Sequence, residues 1–214
     1  KGKNLKAAVL GVLRQYYSES KAVCFEGNNY SSEWVKEAEK RGLPNQKTTP
    51  AALKGFALKK SVALFAKLGV LTEEEAHSRY HILLEKYAKD IDIEAQLVTE
   101  MATTLFVPAA IGYQGELAQT LAGQSAAGIS APAQAALMRD VSAKVEAVLG
   151  LSEELQVARA KADALADVED KAFAYCDKVK PYFDRIRAHV DALELLLPAS
   201  SWPVPKYREM LFLM

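Results

Sequence analysis

Residues 91–122, IDIEAQLVTEMATTLFVPAAIGYQGELAQTLA, decide the fold. They read as one long helix with a proline in its middle. Asp92 stands before an apolar-periodic run, where its carboxylate can accept the free amide hydrogens of a first turn, so the helix is expected to begin there. Glu94 adds negative charge to that turn. Ile93, Leu97, Met101 and Leu105, with Val98 beside them, make a bulky stripe that is expected to face the core. Pro108 donates no backbone hydrogen bond and collides with the carbonyl of Thr104, which predicts a kink instead of two separate helices. Beyond it, Ile111, Gly115, Ala118 and Ala122 form a stripe of mostly small side chains that would admit a neighbouring helix closely. At about 1.5 Å per residue the element would run to roughly 46 Å. A helix of that length needs partners.

The flanking sequence supplies them. Leu5, Ala8, Val9, Val12, Leu13 and Tyr16 share one face of a first helix. Residues 22–25, Ala-Val-Cys-Phe, are a short apolar run expected as the only strand, closed by the turn Gly27-Asn28-Asn29. Ser31 or Ser32 caps a short helix through Trp34 that Gly42 and Pro44 end. Thr49-Pro50 opens another helix, because proline at a first position loses nothing by lacking its N–H. A helix from about Lys59 stops at Gly69. Thr72 and Glu75 form a capping box for a helix to about Lys89, with Tyr80, Leu83, Leu84 and Tyr87 inward.

After the central helix, Pro132 opens a helix that Gly150 is expected to close, and Ser152 starts a further one to about Lys178. Leu155, Ala158, Ala162, Leu165, Val168, Ala172 and Tyr175 step along it by threes and fours. Pro181 precedes a last face of Phe183, Ile186, Val190, Leu193 and Leu197. The expected fold is therefore all-α, an antiparallel bundle of long helices with one proline-kinked central helix, shorter N-terminal helices and an extended C-terminal tail. Its expected parts are a helical connector over residues 1–90, a long-helix bundle over 91–199, and an apolar tail over 200–214. That tail should dock on the bundle or on a partner, since apolar groups left in water invite association.

Composition sets limits. Half of the 214 residues are apolar, and Lys plus Arg equal Asp plus Glu at 27 each. This balance gives no electrostatic footprint for nucleic acid or an anionic membrane. Cys24 and Cys176 stand in no metal-type spacing, which fits ordinary buried thiols in a reducing compartment, and a cytoplasmic location is expected. No apolar run reaches the ~18 residues of a membrane span, and the first six residues do not read as a signal peptide. The chain starts without Met in mid-pattern and reads as a fragment.

Three constellations carry possible chemistry. Glu74, His77, His81 and Glu85 share a helical face at spacings suited to a metal ion, but the second Glu-x-x-His of a dimetal bundle is missing, because His189 has Ile186 at the matching place. A solvated charged face explains the same four residues. Residues 26–31, Glu-Gly-Asn-Asn-Tyr-Ser, can cradle a phosphate or simply form a turn and cap, and they lack both phosphate-loop patterns. Tyr113, Gln114 and Glu116 beyond the kink can line an effector site or pair across helices. No catalytic, cofactor-binding or metal-binding residue is assigned within the chain from these patterns.

Four stretches together resemble one family. They are FEGNNYSSEWVKEAEKRGLPNQKTT at 25–49, SRYHILLEKYAKDIDIEAQ at 78–96, LFVPAAIGYQ at 105–114 and WPVPKYREMLF at 202–212. In order and spacing they are similar to the C-terminal region of type III glutamine synthetases, and the closing WPVPKYREMLF is the most specific. The resemblance implies a parent enzyme that joins ammonia to glutamate with ATP and Mg or Mn, in a homo-oligomer expected to be a dodecamer. The family's metal, glutamate and nucleotide motifs lie upstream of the matched region, so none of its catalytic residues carries over. The expected role is a non-catalytic structural and assembly domain, partnered by its own catalytic domain and neighbouring subunits. The alternatives are a regulatory small-molecule-binding helical module and a metal-binding bundle using His77 and His81.

Overall fold

The computed structural model describes residues 4–24 and 26–212. They divide into two compact units, residues 1–47 and 48–214. The described residues are helical with no strand, so the all-α reading holds. In the first unit, α1 (Leu5–Ser20) is capped by Asn4, whose side chain accepts from the Lys6 amide at 3.1 Å. None of its residues is buried. The expected strand is instead a 3-10 turn, Lys21–Val23; Cys24 after it is exposed, so of the two thiols expected to be buried only Cys176 is, and Phe25 lies outside the described residues. The Arg41 guanidinium explains the turn, donating to the carbonyls of Lys21, Ala22 and Cys24 while its Nε donates to Glu37 at 2.8 Å. Carbonyls satisfied in this way need no strand partner. Ser31 accepts from the Trp34 amide and starts α2 (Ser32–Lys40), which Gly42 ends with φ 72°.

The second unit opens with α3 (Thr49–Phe56) and α4 (Lys59–Lys67). Thr72 and Glu75 then form the expected capping box, with bonds of 2.8 and 3.2 Å, at the head of α5 (Glu73–Met101). This helix does not stop near Lys89. It continues through Asp92, so the expected start there is corrected, and the expected domain limit at residue 90 falls inside it. Without a break the chain passes through a π-turn, Ala102–Phe106, into α6 (Val107–Ala126).

The next correction is similar. Gly150 and Ser152 neither close nor open a helix, since both lie within α7 (Pro132–Asp163). Leu151 and Ser152 are buried there, and packing on one face outweighs the modest cost of glycine in a helix interior. Asp167, which accepts from the Asp170 amide at 2.9 Å, caps α8 (Val168–Ala174). A second π-turn, Tyr175–Val179, leads into α9 (Pro181–Leu196). Both π-turns close on the residue before a proline or its neighbour: the Val107 amide donates to Ala102 ahead of Pro108, and the Lys180 amide donates to Tyr175 ahead of Pro181. The proline ring excludes an ordinary i−4 bond, and the wider turn keeps the backbone helical around it.

Helix α7 packs against α5, α6 and α9. The core between them takes Ala88, Ile91, Ala95, Ala102, Val107 and Ala110 from the long helix, and Val141, Val145, Val148 and Leu155 from α7. The stripes read from sequence fall only partly on this face: Tyr80 and Leu84 are buried and Tyr87 and Val98 pack against the core as expected, while other members face outward. Ile93 and Leu97 are 54% and 51% exposed, Leu83 and Leu105 are also exposed, and so are Ile111, Gly115, Ala118 and Ala122. Alanines allow helix axes to approach where isoleucine or leucine would hold them apart. The Leu155 to Tyr175 and Phe183 to Leu197 faces do supply core residues, except that Leu165 is exposed in the link before α8.

The tail is anchored at one point. Trp202 is buried and stacks on Phe106 at 5.0 Å, and Lys206 Nζ donates to the carbonyls of Glu194 and Leu197 at the end of α9. Past that anchor α10 (Tyr207–Met210) and the following turn leave Tyr207, Met210, Leu211 and Phe212 exposed.

Candidate functional site

The charged groups that the second unit gathers most tightly surround Asp92. Its carboxylate points from α5 toward α7 and the second π-turn, accepting from Arg159 Nε at 2.5 Å, Tyr175 OH at 2.8 Å and Gln96 Nε2 at 2.7 Å. The network extends further: Arg159 Nη1 donates to Gln156 Oε1 at 3.1 Å, and Gln156 Nε2 donates to Thr99 Oγ1 at 2.7 Å. Beside it a cleft of about 380 Å³ is lined by Glu85, Lys89, Asp92, Asp163, Lys171 and Tyr175.

Burial alone would raise the Asp92 pKa, but the bonds from Arg159 and Tyr175, the Arg159 charge and the Gln96 amide together hold it below its ordinary value. The same contact raises Arg159, and burial followed by the Asp92 bond pushes the Tyr175 hydroxyl up. A second pair repeats the theme. Glu169 is held low by Lys54 and then Tyr80, and Tyr80 is raised by burial and by Glu169, which it reaches at 2.8 Å. A carboxylate with a lowered pKa and three donors is a poor general base, because proton transfer works best with a pKa near the working pH. The arrangement ties three helical segments together.

The residues singled out in the sequence are dispersed. His77 Nε2 reaches only Glu73, at 3.8 Å, and His81 lies 5.8 Å from the Tyr80 ring. Glu74 is exposed, Glu85 is in the Asp92 cleft and His189 is half-buried on α9. Among the described residues no three His, Cys, Asp or Glu side chains stand together as a metal site. In residues 26–31, Asn28 Oδ1 accepts from the Tyr30 amide at 3.0 Å and Ser31 caps α2, so the segment forms a turn and a cap. Tyr113 packs against the core, Gln114 is half-buried and Glu116 is exposed on α6. The Asp92 network was not anticipated. Its one signal is Arg159, a charge inside the otherwise apolar spacing of residues 155–175 that needs a buried partner.

The network joins residues 92–99 to residues 156–175, segments far apart in sequence, and the comparisons extend over the whole sequence. The family model described as glutamine synthetase C-terminal domain matches residues 8–125, more than half of the chain. The chain belongs to that family. A glutamine synthetase of Bacteroides fragilis is 33% identical over 211 residues, which is 96% of this chain and 29% of the relative. One from Butyrivibrio fibrisolvens is 33% identical over 99% of this chain and 30% of its own length. The type-3 glutamine synthetase of Dictyostelium discoideum is 32% identical over 89% of this chain and 27% of its own length. The chain thus spans about three-tenths of these relatives, and the likeness to the C-terminal region of type III enzymes read from the four motifs holds. Among the described residues no helix is long and apolar enough to cross a membrane.

Proposed function

We propose that this chain is a non-catalytic structural and assembly region of a type III glutamine synthetase, a cytoplasmic enzyme that makes glutamine from glutamate, ammonia and ATP with Mg or Mn. The observation that supports this reading is the uncovered outer face of the long helix. Ile82, Ile93 and Leu97 fall on nearly one line, three turns and then one turn apart, and all three are more than half exposed. Large apolar side chains aligned along a rigid element mark an interaction surface more often than a free one. The partners that fit are the catalytic domain of the same polypeptide and neighbouring subunits of a homo-oligomer, dodecameric when full length. Family membership supports the placement. The Asp92 network makes the region a stiff spacer.

Two measurements test this. The purified 214-residue chain should release no phosphate from ATP in a glutamate- and ammonia-dependent way, and such turnover would overturn the reading. In the full-length enzyme, Leu97→Asp should shift the sedimentation profile toward smaller species while the fold of the isolated chain is retained. An unchanged full-length assembly would remove the outer face from the proposal.

A further inference from the structure

A groove apart from the Asp92 cleft runs along the second half of α7, where the second π-turn and the start of α9 pack against it. It encloses about 850 Å³; its apolar lining includes Val157, Leu165 and Tyr182, and its charged lining includes Glu153, Lys161 and Lys178. Val157 is 52% exposed there. The neighbouring Glu154 pairs with Arg185 at 3.6 Å, while Glu153, Lys161 and Lys178 have no ion pair among the described residues. The tail carries what this groove lacks. Tyr207, Met210, Leu211 and Phe212 are bare apolar groups, and Arg208 among them has no ion pair among the described residues. A short segment that exposes this much apolar surface is a contact waiting for its other half.

The tail does not fill the groove of its own chain. Lys206 is fixed to the carbonyls of Glu194 and Leu197, at the far end of α9 from Tyr182. From Tyr182 to Leu197 is roughly 22 Å along the helix axis, whereas the turn of helix from Lys206 to Phe212 advances only about 9 Å. A second copy removes the mismatch. When two α9 helices lie antiparallel, the tail end of each is beside the groove end of the other, and both contacts form at once about one two-fold axis. We propose that two copies of this chain pair in this way, each seating its tail, residues 207–212, in the partner's groove between α7 and α9. Arg208 then meets the partner's Glu153, Glu209 faces Lys161 and Lys178, and Leu211 and Phe212 cover Val157 and Leu165. Opposite charges at both ends of an apolar contact fix its direction as well as its partner. The pairing rests on the assembly reading above and names one self-contact within it.

Sedimentation equilibrium of the 214-residue chain tests it. The chain should associate reversibly to a dimer, and Leu211→Asp in the tail or Val157→Asp in the groove should each weaken that dimer about ten-fold, the scale of losing one apolar anchor. Arg208→Glu should weaken it about three-fold, the size of one exposed ion pair, and Glu153→Arg added to Arg208→Glu should restore it. All four side chains are exposed, so each variant should keep the helix content of the parent chain by circular dichroism. A parent chain that stays monomeric, a dimer untouched by Leu211→Asp and Val157→Asp, or a double variant no tighter than Arg208→Glu overturns the tail exchange. The assembly reading stands or falls separately, because Leu97→Asp in the full-length enzyme alters neither tail nor groove.

Discussion

The inner face of helix α5 interleaves small and large side chains, while its outer face leaves large ones bare. Inside, Ala76, Ala88 and Ala95 alternate with Tyr80, Leu84 and Ile91, all nearly sealed, while Ile93 and Leu97 on the outside are more than half exposed. The difference teaches that burial in this fold follows from close approach of helices, for which a small side chain is better suited than a large one. Helix α1 shows the outer condition in extreme form, with Leu5 77% and Tyr16 65% exposed. Some bulk is thereby left on surfaces, where it can serve association, and the interior alternates alanine and valine with large anchors such as Leu84, Leu155 and Tyr175.

The sharpest way to break this comparison is to truncate both faces equally. Leu84→Ala empties a site with no exposure and should cost about 3 kcal/mol in urea denaturation. Leu97→Ala should change stability by less than about 0.5 kcal/mol. Equal losses would mean that the outer face is covered within the chain itself. Enlarging the seam tests the same point from the other side, and Ala95→Leu should cost about 2 kcal/mol by overpacking.

The polar tie across the faces is the next largest effect. Asp92→Asn keeps the shape and loses the charge, and should cost about 1.5 kcal/mol at neutral pH, the scale of one hydrogen bond to a charged group. Its pH dependence has a definite sign. The folded pKa of Asp92 lies below the unfolded value, so the ionised form contributes stability above about pH 4, and that contribution is lost as pH falls through the folded value. Denaturation midpoints measured from pH 6 down to pH 2 should therefore fall less steeply in Asp92→Asn than in the parent chain. Parallel curves would show that the carboxylate is not the linked group.

Helix existence was legible from local chemistry, since the Thr72 and Glu75 box, the Ser31 cap and the positive-φ glycines Gly42 and Gly69 are where their residue types require. The faces were harder to read. Alanine gives little periodic signal, and the eye follows Ile93, Leu97 and Leu105 instead. Helix limits at Asp92, Gly150 and Ser152 failed for a related reason, because tertiary contacts set them: Asp92 has Arg159 and Tyr175 as partners, far away in sequence. A carboxylate that caps a turn and one that ties two helices look alike until the partner is known. The tail was legible in part: its docking follows from its apolar content, but neither the choice of Trp202 as the anchor nor the exposed α10 end was read from the sequence.

The smallest effect concerns the proline that separates the two halves of the long helix. A π-turn inserts one residue, which rotates everything after it by roughly 100° relative to an unbroken helix. The inner positions show this, stepping Ala95, Ala102, Val107, Ala110 and Leu117, with a gap of five across the turn where three or four is usual. Regular seven-residue steps from Ala95 and Ala102 would land on Ala109 and Glu116, one residue before the positions that are buried, Ala110 and Leu117. Pro108→Ala restores an N–H that can reach Thr104 and should let the π-turn relax to ordinary helix, with a stability change of about 0.5 kcal/mol because the proline's restriction of the unfolded chain is also lost. A mutant structure settles which feature sets the phase. If the turn at Ala102–Phe106 relaxes, proline imposes it; if it persists, the stacking of Phe106 on Trp202 holds the extra residue in place and the tail, not the proline, governs the geometry of the long helix.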